Sequence, residues 1–213
     1  MASWLKVVRL NKSTHETNCA DTANQEKELA QLTVRIAQEL LSHEAIVREA
    51  YQDVVGVWTW GVGVTEASGH TICPRYVDRP QTMRWCLEMY LRLLREVYAP
   101  AVLDAFDGID LSENQFGAAL SFHYNTGAIA SAAWVEAWCD GDVDAARDSF
   151  MNWRKPPQII PRREKERDLF FDGVWSSDGT VREFTVKKPD YVPDAECPKF
   201  IDVRNILEEL LRR

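Results

Sequence analysis

The chain has 213 residues, of which 46% are hydrophobic and 27% charged, and a formal net charge of −8. Its length and balance give material for one sizeable core with extensions and exclude global disorder. The acidic balance excludes general nucleic-acid binding, which needs clustered Lys and Arg to replace counterions on phosphate.

In chain order, residues 1–27 read as polar and irregular apart from Trp4, Leu5, Val7 and Val8, with no hydrophobic signal region after Met1 and therefore no expected export signal. From Glu28 a helical period runs through Leu29, Leu32, Ile36 and Leu40, and Glu44 continues that stripe four residues later. Its carboxyl is thereby expected on or near an apolar face, where a charge is costly. Residues 57–65, bracketed by Gly56 and by Ser68 and Gly69, have strand alternation. Period two puts Trp58, Trp60, Val62 and Val64 on one face. Thr59, Gly61 and Gly63 take the other, a strip of nearly bare backbone that a ligand can approach closely.

From Thr82 the positions Met83, Leu87, Tyr90, Leu91, Leu94 and Val97 predict a long helix that Pro100 should end or kink. Ser112, Glu113, Asn114 and Gln115 have the capping-box pattern and open a helix through Phe116, Leu120 and Tyr124, stopping near Gly127. Shorter helices are predicted over 131–139, through Val143, Ala146, Phe150 and Trp153, and from Pro161 to Gly173. The charged run 162–167 reads as a solvated helix face, with Arg163 suited to a buried pair with an acid across the domain. After Ser176, a short strand over 183–186 and an amphipathic end at Ile201, Val203, Ile206, Leu207, Leu210 and Leu211 are too little for a separate core and are expected to strap onto the main domain. The fold class is α+β, mainly helical, with one small sheet.

Glu44, Asp53 and Thr59 are the polar groups with chemical promise. Glycoside cleavage needs a proton for the leaving oxygen while positive charge develops at the sugar carbon. A carboxyl against apolar surface suits the first task, and a more solvated Asp53 suits charge stabilisation or water orientation, with Thr59 holding the same water. Spacing alone leaves the plainer roles open: Glu44 paired with an arginine, Asp53 an ordinary turn residue, Thr59 a strand former.

The segment Glu44, then Ala50-Tyr51-Gln52-Asp53, then Gly56-Val57-Trp58-Thr59-Trp60-Gly61-Val62-Gly63 resembles the active-site signature of the phage-type lysozymes, endolysin muramidases of glycoside hydrolase family 24. The stretch from Gln115 through His123, Tyr124 and Asn125 to Gly127 resembles that family's central helix and the turn beside its sugar cleft. Phe150 to Trp153, the run 162–167 and 170–175 resemble its closing helices. The resemblance spans about residues 29–175, leaving 1–28 and 176–213 as extensions.

It implies a lysozyme-like two-lobed fold and hydrolysis, with inversion, of the β-1,4 linkage between N-acetylmuramic acid and N-acetylglucosamine. Glu44 would be the proton donor, Asp53 the carboxylate assisting water and Thr59 its positioning hydroxyl. Gly61, Gly63, Tyr124 and Asn125 would border the substrate. Ala45 and Val64 depart from the family's usual glycine and histidine, and the acidic charge departs from its usual basic balance.

The same resemblance implies peptidoglycan strands as partner, no cofactor, and a monomer kept in a host cytoplasm until a separate pore-forming holin releases it to the periplasmic wall. A non-catalytic glycan-binding or virion protein on the same scaffold, and a lytic transglycosylase, are the rival readings.

Other motifs fail on chemistry. His43-Glu44 lacks the second histidine of a zinc-protease helix, because Val47 occupies that position. Cys19, Cys73, Cys86, Cys139 and Cys197 form an odd set without a Cys-x-x-Cys pair, which points to reduced thiols and no metal site. No run approaches the roughly 20 apolar residues of a membrane-spanning helix, so no stable membrane insertion is expected. An anionic wall would repel a chain of this charge unless its basic residues gather near the cleft.

Overall fold

Thr33 opens the first helix in a computed structural model that describes residues 32–212. Its backbone is extended and its hydroxyl accepts the Ile36 N–H at 3.2 Å, which caps α1 (Val34–His43). Glu28 and Leu29, where the helical period was read to begin, lie outside the described residues, as does the expected irregular segment 1–27. Ile36, Ala37, Leu40 and Leu41 turn one face of α1 into the core.

The chain then continues as a strand, β1 (Ala45–Gln52). Its buried residues come in pairs, Ile46 with Val47 and Ala50 with Tyr51, because a register irregularity between Val47 and Tyr51 breaks the alternation. The single strand expected over 57–65 is instead two, β2 (Trp58–Gly61) and β3 (Val64–Thr65), which pair antiparallel with Thr59 opposite Thr65 and Trp60 opposite Val64. Gly61 and Gly63 make the reversal possible, with φ of 65° and 71°. Their backbone freedom is used to turn the chain, not to bare the face of a continuous strand.

A long helix follows as expected and is interrupted near Pro100. α2 (Met83–Leu93) widens into a π-helical turn (Leu94–Tyr98) before resuming as α3 (Ala99–Ala105). Pro100 sits in the first turn of α3, where its missing N–H is tolerated, and the widened turn takes up the mismatch. α4 (Glu113–Thr126) has the capping box between Ser112 and Gln115 and a left-handed Gly127 at its end. Its residues from Phe116 to Asn125 are all buried, so α4 is the axis around which the helical lobe packs. α5 (Ala133–Cys139), α6 (Val143–Phe150) and α7 (Ile160–Asp172) surround it, with Trp134 tilted against Phe150 and edge-on to Phe122 and Phe170.

Residues after 175 enter the sheet itself. β4 (Thr180–Phe184) pairs parallel to β1, and β7 (Lys199–Asp202) pairs antiparallel to β4, giving the order β3-β2-β1-β4-β7. Between them, β5 (Val186–Lys187) and β6 (Val192–Pro193) form a separate hairpin. α8 (Arg204–Leu211) buries Leu207 and Leu210 in the main core, and its Glu209 pairs with Arg84 of α2. The architecture is α+β, mainly helical, with a small mixed sheet.

One buried carboxylate ties the tail to α1. Glu39 accepts from the Ser176 N–H at 3.0 Å, the Ser176 hydroxyl at 2.6 Å and the Ser177 N–H at 2.9 Å, with His43 at 3.5 Å. Burial alone would raise its pKa, but His43, Ser176 and Ser177 together hold it below the ordinary carboxylate value. A carboxyl lowered on folding stabilises the native state above its unfolded pKa and loses that contribution as pH falls through its folded value. Glu39→Gln should therefore cost about 2–3 kcal/mol at pH 7 and flatten the acid limb of the stability profile. Urea unfolding at pH 7 and at about pH 3 checks both parts, and an unchanged midpoint at pH 7 would remove Glu39 as the anchor.

Candidate active site

The chain leaves α1 at Glu44. Its backbone is extended, with φ −105° and ψ 177°, and its N–H still donates to the Leu41 carbonyl at 3.1 Å. This fixes the side chain at the junction between α1 and β1. The carboxyl is only 13% exposed, and its Oε1 accepts from Arg162 Nη1 at 2.5 Å. Oε2 has no hydrogen bond among the described residues.

Arg162, on α7, spends its remaining donors inward. Nε donates to Glu166 Oε1 at 2.8 Å, and Nη2 donates to the Ser121 carbonyl at 3.1 Å. The Ser121 hydroxyl donates to the same Glu166 oxygen at 2.6 Å. Glu166 Oε2 is taken by Arg163, whose Nη2 reaches Asn125 Oδ1 at 2.8 Å and whose Nε reaches the Trp153 carbonyl at 3.1 Å. The Arg163 guanidinium also lies over the Phe122 ring, 4.6 Å from its centroid.

Burial opposes the charge on the network's inner members, and the pairing answers it at Glu166 and Arg162, whereas at Arg163 burial prevails and holds the guanidinium below its ordinary value. Glu166 is held below the ordinary carboxylate value because Arg163 and Arg162 outweigh its desolvation. Arg162 is likewise pushed above its ordinary value, since Glu44 and Glu166 outweigh the burial that would lower it. The run 162–167 is thus a buried charged face at Arg162, Arg163 and Glu166, not the expected solvated one. Arg163 does find an acid, although that acid lies on its own helix.

Sequence reasoning missed Arg162 as the partner of Glu44. The signal was present: positions 162, 163, 166, 169 and 170 follow the helical stripe, with Leu169 and Phe170 buried in register. Charged residue types hid the periodicity.

Asp53 and Thr59 sit on the other side, around the turn between β1 and β2. Asp53 Oδ1 accepts from the Val55 and Val57 N–H groups, both at 2.9 Å, while its own N–H donates to the Val57 carbonyl at 3.0 Å. Oδ2 has no hydrogen bond among the described residues. Thr59 is buried, and its hydroxyl donates to the Val57 carbonyl at 3.1 Å. It stands opposite Tyr51 in the ladder, two residues before Asp53 in the chain.

Tyrosines join the two halves. Burial raises the phenols of Tyr51, Tyr90, Tyr98 and Tyr124, Tyr98 to about 12, and the negative charge of Glu44 adds to the shift in all four. At Tyr51 the charge of Asp53 adds as well, so one buried ring feels both carboxylates. Tyr124 is buried, and its hydroxyl donates to the Val62 carbonyl, which braces the Gly61 and Gly63 turn from α4. Asn125 is also buried and faces Arg163.

A sheet-bearing small lobe and a helical lobe meeting at a carboxylate define a lysozyme-like, two-lobed α+β fold. The phage lysozyme family model matches residues 41–166, more than half of the chain, and the chain belongs to that family. It resembles the endolysin of Bacillus phage B103, at 33% identity over 72 residues, 30% of this chain and 27% of that protein. The match therefore spans about a quarter of that relative's length. The fold is shared with an endolysin from Escherichia coli O157:H7 phage FAHEc1, with a TM-score of 0.60 and 19% identity over 68% of this chain and 96% of that one. A P22 lysozyme variant gives a TM-score of 0.55 and 26% identity over 66% and 97% of the two chains.

Arg162→Met should destabilise the protein by about 3–5 kcal/mol, because it leaves the mostly buried Glu44 without its cation and Glu166 with Arg163 alone. Urea unfolding measures this. A loss below about 1 kcal/mol, the worth of an exposed pair, would mean that solvent and not Arg162 neutralises Glu44 and Glu166.

Proposed function

We propose that this chain is an endolysin muramidase that hydrolyses the β-1,4 linkage between N-acetylmuramic acid and N-acetylglucosamine in peptidoglycan, in the lysis of a bacterial host. The observation that carries this reading is Glu44, a mostly buried carboxyl with one oxygen fixed by Arg162 and the other without a hydrogen bond among the described residues. It occurs in a chain of the phage lysozyme family.

In this reading Glu44 takes up a proton on Oε2, the oxygen that Arg162 does not hold, and passes it to the leaving glycosidic oxygen as positive charge develops at the anomeric carbon. Asp53, with Oδ1 committed to its turn, offers Oδ2 to the attacking water and to the developing cation. The Thr59 hydroxyl gives its hydrogen to Val57 and retains a lone pair for a hydrogen bond from the same water. Attack from the face opposite the leaving group inverts configuration and leaves a reducing end. Gly61 and Gly63 border the sugar and Tyr124 supports that border through the Val62 carbonyl, while Asn125, expected at the groove, is buried against Arg163.

The partner is the glycan strand of the cell wall, met by a monomer. No helix among the described residues is long and apolar enough to cross a membrane. In the proposed sequence of events the chain waits in the host cytoplasm, and a separate holin pore gives it access to the wall in the periplasm.

Glu44→Gln should keep the fold and lower turnover by about 10²–10⁴-fold, because the amide keeps the shape and has no acid proton to give. Release of reducing ends from purified peptidoglycan measures it, and equal release by wild type and variant would defeat the reading. An anhydro sugar product would assign transglycosylation instead. Asp53→Asn should lose turnover while retaining affinity for the glycan. Thr59→Val should lose turnover with little change in melting temperature, and a parallel loss of both would make Thr59 structural.

A further inference from the structure

Asp78 and Tyr191 are the two non-glycine residues with positive φ among the described residues, at 56° and 53°. They touch each other: the Tyr191 hydroxyl donates to Asp78 Oδ2 at 3.0 Å. Side chains rarely accept this backbone, and it persists only where the surroundings over-determine it.

Those surroundings converge on the turn between β5 and β6. Lys188 Nζ pairs with the other Asp78 oxygen and lies 3.5 Å from Glu49 Oε2 on β1. The Tyr191 carbonyl accepts the Gln52 N–H at 2.6 Å, and the Tyr191 ring meets Trp58 edge-on at 5.5 Å. Gln52 immediately precedes Asp53, and Trp58 immediately precedes Thr59. A turn from the tail therefore grips the neighbour of each residue to which the water-handling roles are given.

A staple for the fold alone would not need this design. Lys188 and Asp78 are largely exposed, where ion pairs contribute little to stability, and glycine or asparagine at 78 and 191 would avoid the strain. We infer that Tyr191 and Asp78 are positioning residues for Asp53 and Thr59, through which the C-terminal hairpin sets the geometry of the attacking water. The inference rests on the muramidase reading for its kinetic consequence, and on the contacts alone for its structural one.

Tyr191→Phe and Asp78→Ala test it in the full chain. With soluble peptidoglycan fragments, kcat should fall by about tenfold to a hundredfold with KM held within about twofold, the effect of a misplaced group on an otherwise intact cleft. Amide hydrogen exchange over residues 52–57 should quicken while exchange in α4 and the melting temperature stay as in wild type. Asp78→Asn keeps an acceptor for the tyrosine and tolerates left-handed backbone, so it should recover most of the rate that Asp78→Ala loses. Unchanged exchange over 52–57 in both Tyr191→Phe and Asp78→Ala overturns the inference, as does a kcat loss matched by faster exchange throughout the fold. If wild type releases no reducing ends, the muramidase reading fails, while local quickening of exchange over 52–57 would still support the grip of the tail.

Discussion

Arg162 is the constraint on which the site depends. A guanidinium buried at the meeting of α7, α4 and the α1–β1 junction needs compensation, and it receives two carboxylates and a serine. The dependence is mutual, since Glu44 and Glu166 are themselves largely buried. Lysine would not serve, because one compact ammonium cannot present separate donors in a fixed fork toward Glu44, Glu166 and the Ser121 carbonyl. Residues 118 positions apart in the chain are thereby held at 2.5 Å, and the direction of the Glu44 carboxyl follows from charge neutralisation.

The second half of the site has a different kind of support. Around Asp53 the backbone itself supplies the donors, and the β1–β2 ladder carries Thr59 past Tyr51. Trp60 braces the ladder by donating from its indole to the Arg48 carbonyl at 2.9 Å, and Tyr124 holds Val62 from the helical side. Ion pairing thus sets one carboxylate and strand geometry sets the other.

What was legible in the sequence was local. The capping box at Ser112, the stops at Gly127 and Gly173 and the helix opening near Pro161 depend on residues a few positions apart, and each appears where its chemistry requires. β1 is not legible as a strand because its bulge groups Ile46 with Val47 and Ala50 with Tyr51, a pattern no simple alternation reveals. The turn at Val62 was hidden for a related reason: Trp58, Trp60, Val62 and Val64 alternate whether the chain runs straight or folds back, and only the φ values of Gly61 and Gly63 decide. Residue type and spacing brought Glu44, Asp53 and Thr59 forward but left their plainer roles open, and only the family resemblance implied catalytic ones. Arg162 shares the buried stripe of Leu169 and Phe170, but its pairing with Glu44, 118 positions away, and the hairpin contact of Tyr191 with Asp78, 113 positions away, could not be read from the sequence.

The acidic net charge takes on meaning once the pairs are known. Arg162 and Arg163 are near the site but buried and neutralised, so they present no exposed positive patch. Lys187 and Lys188, on the hairpin beside β1, are paired with Asp194, Glu196, Asp78 and Glu49. Arg48, Arg84 and Arg147 likewise face Glu183, Glu209 and Asp172. With these cations matched locally, the field beyond roughly one Debye length, about 8–10 Å at ordinary ionic strength, is governed by the acidic surplus. Attraction to an anionic wall is then not what brings a glycan strand into the proposed cleft. In the proposed function short-range contacts supply the affinity, among them packing against the half-exposed aromatic rim at Trp58 and Tyr191.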